Sequence, residues 1–223
     1  MAISQAVDRH APGAADAQNA RVGSLGSAAH RHVAALSQAS GPEASRDLAD
    51  AVHLLCSLYG RHPGLVDLAL QHCPAGIMRE WMRGASEAFE RERLYLVRLT
   101  AAVGPLPSTP GSAETESALS AQRHAIETLA SSERRGCALG ATAALVADWA
   151  AVRAVLGRAA ARMGVEVPPC SLPDSVALDE VIGSVSGDAA AERAIAFGSE
   201  QLLLQNCGLF DLLDARAIAR AEA

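Results

Sequence analysis

Several side-chain spacings in this chain can do chemistry. Asp50-x-x-His53 and His124-x-x-Glu127 each set an imidazole and a carboxylate one helical turn apart. Inward-facing pairs of that kind hold metal ions in helical bundles. Glu92 lies in the middle of a long apolar stripe that runs from Ile77 and Met78 through Trp81, Phe89 and Tyr95 to Val103. A carboxylate in such a place costs several kcal/mol unless it is paired or protonated, so it demands a partner. Gly136-x-x-x-Gly140 permits a close helix crossing, and Cys137 between them reads as a small core residue, with a helix-start thiolate beside Arg135 as the alternative if Gly136 breaks the helix.

The elements that must position these residues are helical almost throughout. Apolar residues recur at three and four, and runs of alternating β-branched residues are missing. Residues 1–15 read as a flexible tail, broken by Pro12-Gly13. Residues 16–223 read as one bundle domain. Its first helix spans 16–39 on the stripe Val22, Leu25, Ala29, Val33 and Leu36. Ser40-Gly41-Pro42-Glu43 closes that helix and opens a second, which runs to Tyr59. A short helix over 65–71 follows, then a long one from Pro74 to Val103. Prolines at 105, 107 and 110 force a loop. The next helix covers 114–132, bends or breaks near Gly136, and resumes to Met163. Asp174 caps a shorter helix through Ile182, and 189–219 supplies the last, with Gly208 a candidate break. The fold class is therefore all-α: a single-domain antiparallel bundle of six to eight helices.

On the helical wheel His53 points away from Leu48, Val52 and Leu55, and His124 and Glu127 point away from Leu119, Ile126 and Leu129. Both pairs therefore read as solvated faces, and no metal site is expected. The partner of Glu92 follows from counting. If the Pro-rich loop joins antiparallel neighbours, Gln122 stands as far beyond the loop as Glu92 stands before it. A further turn near Gly136 brings Asp148 and Trp149 to the same level, with Tyr95 one turn away. Arg134 is a weaker partner at another level. Glu92, Gln122, Asp148, Trp149 and Tyr95 are thus the candidate interior polar layer. It reads either as a network that fixes helix register or as a pocket that binds a ligand.

Composition narrows the classes. The chain has 223 residues, is 50% hydrophobic and 3% aromatic, and carries a formal net charge of -6. Every basic residue is Arg, and Arg134-Arg135 is the one adjacent pair, so no face suited to nucleic acid is expected. The five cysteines are scattered without C-x-x-C spacing, which reads as reduced thiols in a cytoplasmic protein. The N-terminus lacks an apolar signal core, and the longest low-polarity run, 136–147, ends at Asp148. No secretory signal and no membrane span are expected. No phosphate-binding glycine loop, nucleophile elbow or His-Glu-x-x-His motif is present.

Two resemblances add to this. A helical chain of this size with Gly136 and Gly140 on one helix and early histidines at His30 and His32 is superficially similar to bacterial haem oxygenases. That resemblance implies an enzyme with chemistry inside the bundle. Close packing of an Ala-rich helix explains the same glycines. The stretch Ser132-Glu133-Arg134-Arg135-Gly136-Cys137-Ala138, with Pro169-Cys170-Ser171-Leu172-Pro173 downstream, resembles an uncharacterised helical family of proteobacterial proteins. It covers most of the chain after residue 40 and implies no activity. The expected function is a non-catalytic, regulatory bundle that binds a protein partner or a small molecule, with no cofactor. The stripe Ile195, Leu202, Leu209 and Leu213 leaves a homodimer open. The alternative is the haem-oxygenase-like enzyme.

Overall fold

In the computed structural model, which describes residues 13–185 and 187–222, the chain is all-α. Residues 1–12 of the expected tail lie outside the described residues, and the first helix begins at Ala14. Nine α-helices are formed among the described residues: α1 (Ala14–Leu25), α2 (Arg31–Ser37), α3 (Glu43–Tyr59), α4 (Leu65–Gln71), α5 (Ile77–Ala102), α6 (Ser112–Ala130), α7 (Cys137–Met163), α8 (Ser175–Gly183) and α9 (Ala189–Ala221).

The expected first helix is two helices. Gly26 is extended, and a single 3-10 turn, Ser27–Ala29, separates α1 from α2. The cause is distant in sequence: the Asp148 carboxylate accepts the Ser27 N–H at 2.7 Å and the Ser27 hydroxyl at 2.5 Å. A side chain at position 26 would stand 2.8 Å from Asp148 Oδ1, so the turn needs glycine for space. A continuous stripe from Val22 to Leu36 concealed this break. The long fifth helix starts at Ile77 rather than Pro74, and the last passes through Gly208 unbroken.

Helices α7 and α9 pack most closely and form the centre of the bundle. A Cβ on Gly140 would lie 2.1 Å from the Ile195 carbonyl oxygen, and one on Gly198 2.1 Å from that of Cys137. The two backbones therefore touch, which only glycine at both positions allows. Gly136, at φ 100°, ends the preceding turn and starts α7 in a conformation that L side chains rarely adopt. This is the use the structure makes of the Gly-x-x-x-Gly step. Ile195, Leu202, Leu209 and Leu213 are buried within the chain's own bundle.

Around this pair α3, α5 and α6 pack against α7, with Trp149, Tyr95, Leu96, Leu99 and Leu156 in the core. Among the described residues α7 alone is long and apolar enough to cross a membrane, and most of it is buried. Its apolar faces are thus covered by the other helices of the bundle.

Candidate functional site

The middle of α7 carries the expected polar layer in two halves. In the first, Glu92 is 1% exposed on α5. Its Oε2 accepts the Trp149 indole N–H at 2.9 Å, and its Oε1 accepts Arg153 Nη1 at 2.5 Å. Arg153 also donates from Nη2 to the Pro168 carbonyl at 2.5 Å, and its guanidinium lies 5.8 Å from the centre of the Tyr95 ring. Glu92, Trp149 and Tyr95 thus come together as the stripes required. The cation is Arg153, one turn beyond Trp149, and not Arg134, which is exposed at the far end of the bundle. Tyr95 is buried with no partner for its hydroxyl, and burial pushes its pKa up.

In the second half, Asp148 faces the other way. Besides Ser27 it accepts Asn206 Nδ2 at 2.7 Å, and Asn206 Oδ1 accepts the hydroxyl of Tyr59. Burial, and then the Asp148 charge, drive the Tyr59 pKa far up, so the phenol stays a donor. Trp149 separates the halves, with Phe89 and Tyr59 edge-on to it at centroid distances of 4.9 and 5.4 Å. Gln122 does not reach Glu92. Its Nε2 donates to the Gln205 carbonyl on α9 at 3.2 Å. The Pro-rich loop does not join packed neighbours, because α6 lies on α9, α4 and α7 rather than on α5.

The Asp50 pair departs most from expectation. Asp50 is 0% exposed, so it is not on a solvated face. It receives Arg216 Nε and Nη2 at 2.8 to 3.1 Å, and Arg220 as well. Arg216 also donates to Thr115 and Thr109, and Arg220 to Thr109 and Asp47. His53 Nε2 is 2.8 Å from the Gly104 carbonyl oxygen at the near end of the same loop. Both residues therefore anchor the Pro-rich loop. The cations arrive from α9, 166 residues away, where no local pattern announces them. His124 and Glu127 are exposed as expected. His30 and His32 each engage an aspartate of α9, Asp211 and Asp214, both at 3.1 Å. His30 Nδ1 also accepts the His32 N–H and caps α2.

A pocket of about 360 Å³ opens at the head of α7, between α4, α5 and the α6–α7 turn. Its walls are apolar, with Ala69, Cys73, Met78, Met82 and Leu139 among them. Arg134, Arg135, Glu133 and His72 also line it. No side chain caps the first turn of α7. Arg134 lies over the exposed ring of Phe197 at 5.7 Å, and Arg135 is 3.6 Å from Asp188. Burial raises the Cys73 thiol pKa, with Arg79 opposing. Cys137 is a buried core residue, 1% exposed, whose N–H bonds the Arg134 carbonyl. Sequence reasoning missed this pocket because its walls come from separate stripes, each of which reads as core.

These features define an all-helical bundle with a bonded polar layer and a separate pocket of small-molecule size. Residues 22–221 match a family of unknown function, DUF6975, and the chain belongs to that family. No curated protein matches the chain. Both segments that carry the family resemblance lie within the matched residues, and 132–136 together with Ala138 line the pocket.

Proposed function

We propose that this protein is a soluble, cytoplasmic binding module that holds a small molecule without transforming it. The pocket at the head of α7 is the observation that carries this reading. Its volume of about 360 Å³ falls in the range of ligand pockets, and apolar walls with a few convergent polar groups are what such sites use. The polar layer supports a binding role over catalysis. Both oxygens of Glu92 and of Asp148 are engaged by protein donors, which makes the layer the frame that holds α7 in place. Native mass spectrometry of freshly purified protein, paired with Ala138→Phe on the pocket wall, tests the reading. A stoichiometric small molecule that the variant loses is the expected result. An apo wild type, especially a clean homodimer, turns the search to a protein partner.

A second reading keeps Glu92, Trp149, Tyr95, Asp148 and Gln122 as the ligand site. Arg153 lines a hollow of about 470 Å³ with Leu172 and Leu178, and the unpartnered Tyr95 hydroxyl lies in the same half of the layer. A ligand there would reach Glu92 through Arg153, and Glu92→Gln would cut its affinity while the fold survives.

A further inference from the structure

We infer that the ligand of the α7-head pocket is an amphipathic anion, with an apolar body against the methionines and a carboxylate or similar head at the arginines. The inference rests on the ligand-binding reading above and adds the chemical class. The deep walls offer little to a polar body: Met78, Met82, Ala69 and Leu139 present only carbon and sulfur side-chain atoms. Methionine side chains adapt to irregular apolar shapes, which suits a flexible chain or a ring.

Most of the polar groups come from the α6–α7 turn, with His72 at the end of α4, and the charge of the turn is mostly positive. Arg134 and Arg135 line the pocket beside the start of α7, a helix of 27 residues. Among the described residues Arg135 has one ion pair, at 3.6 Å to the half-exposed Asp188, and Arg134 has none and rests on the Phe197 ring. The uncapped first turn adds the positive end of the helix dipole, with backbone N–H groups at Ala138 and Leu139, which line the same cavity. Glu133 is the one carboxylate lining the pocket, and it is exposed. A head with negative charge gains charge-assisted hydrogen bonds there. An ammonium head would face the positive end of the helix and the net positive charge of the two arginines.

Octanoate, 1-octanol and octylammonium, titrated separately into the full chain by calorimetry, share one apolar body and differ in head. Octanoate is expected to bind at one site, about tenfold or more tighter than 1-octanol, as hydrogen bonds to a charged group imply. Octylammonium is expected to bind weakest. Replacing both Arg134 and Arg135 by Gln should remove the preference for octanoate and leave 1-octanol unchanged, and Glu133→Gln should tighten octanoate. These residues are exposed, so the fold is not at stake. Equal binding of octanoate and 1-octanol, with both lost in Ala138→Phe, overturns the anion assignment and leaves the small-molecule pocket standing. No binding of any of the three, or binding that survives Ala138→Phe, overturns the pocket reading as well.

Discussion

The head and the middle of α7 use polar groups in opposite ways. In the middle, Glu92 and Asp148 are deeply buried, and each carboxylate oxygen meets a donor from another element: Trp149 and Arg153 for one, Ser27 and Asn206 for the other. At the head, Arg134 and Arg135 are exposed, the first turn is uncapped, and a cavity remains. A buried group pays for its desolvation only when its bonds are complete, so the middle has little capacity left for a ligand. The head has spare charge and space. The most conspicuous buried charge in this bundle thus marks where its helices are fastened.

The two halves of the middle also differ from each other. Glu92 has a cation, and among the described residues Asp148 is held by neutral donors alone. The largest expected effect in the molecule is therefore Asp148→Ala. It strands the Ser27 N–H, the Ser27 hydroxyl and the Asn206 amide in the core, and should cost about 4 kcal/mol in urea unfolding. A loss below about 1 kcal/mol would show that the break at Gly26 is held by something else. Next comes Gly140→Ala, whose new methyl meets the Ile195 carbonyl and should cost about 3 kcal/mol by parting α7 from α9. Glu92→Gln keeps one acceptor oxygen and should cost about 2 kcal/mol. Affinity for a ligand at the head should not change, and a drop in affinity would move the site to the middle.

A smaller effect is expected from pH. Burial lowers the His32 pKa below its ordinary 6.5, and the nearby Asp214 opposes this without reversing it. The unfolded chain then binds the proton more readily, so this contribution to stability is present above 6.5 and is lost as pH falls through the folded value. Unfolding free energy should decline over that window, and His32→Gln should flatten it. Asp67 acts lower. Burial would raise its pKa, but the Ser86 hydroxyl, the Gly64 N–H and Arg93 outweigh burial and hold it down. Its contribution fades only as pH drops below the ordinary carboxylate range. The smallest stability change belongs to Ala138→Phe at the head, within about 0.5 kcal/mol, because it fills space rather than breaking a bond.

Much of the architecture was legible in the sequence because helix signals are local. The Pro-rich loop, the Asp174 cap and the Gly136 break each act within a few residues, and the structure has all three. The stripe on α5 puts Glu92 inside the bundle, register puts Trp149 at its level, and the two are hydrogen-bonded in the core. The layer was only half legible, because partner choice depends on which helices become neighbours. Gln122 stands opposite Glu92 only if the Pro-rich loop joins packed helices, yet α6 lies on α9. Asp50 reads as solvated only through its pairing with His53, which points away from the stripe, but α9 and the loop close over it. Arg153 was overlooked because a long side chain at the edge of a stripe reaches inward without changing the pattern.

The Ser27–Asp148 contact has a consequence for how the chain is made. It joins positions 121 residues apart, and the neighbouring ties from His30 and Arg21 reach α9, further still. Helices α1 and α2 leave the ribosome well before their anchors on α7 and α9 are synthesised. Closing such long loops must wait for the α7–α9 pair to exist. Helices α1 and α2 are thus translated early and secured late.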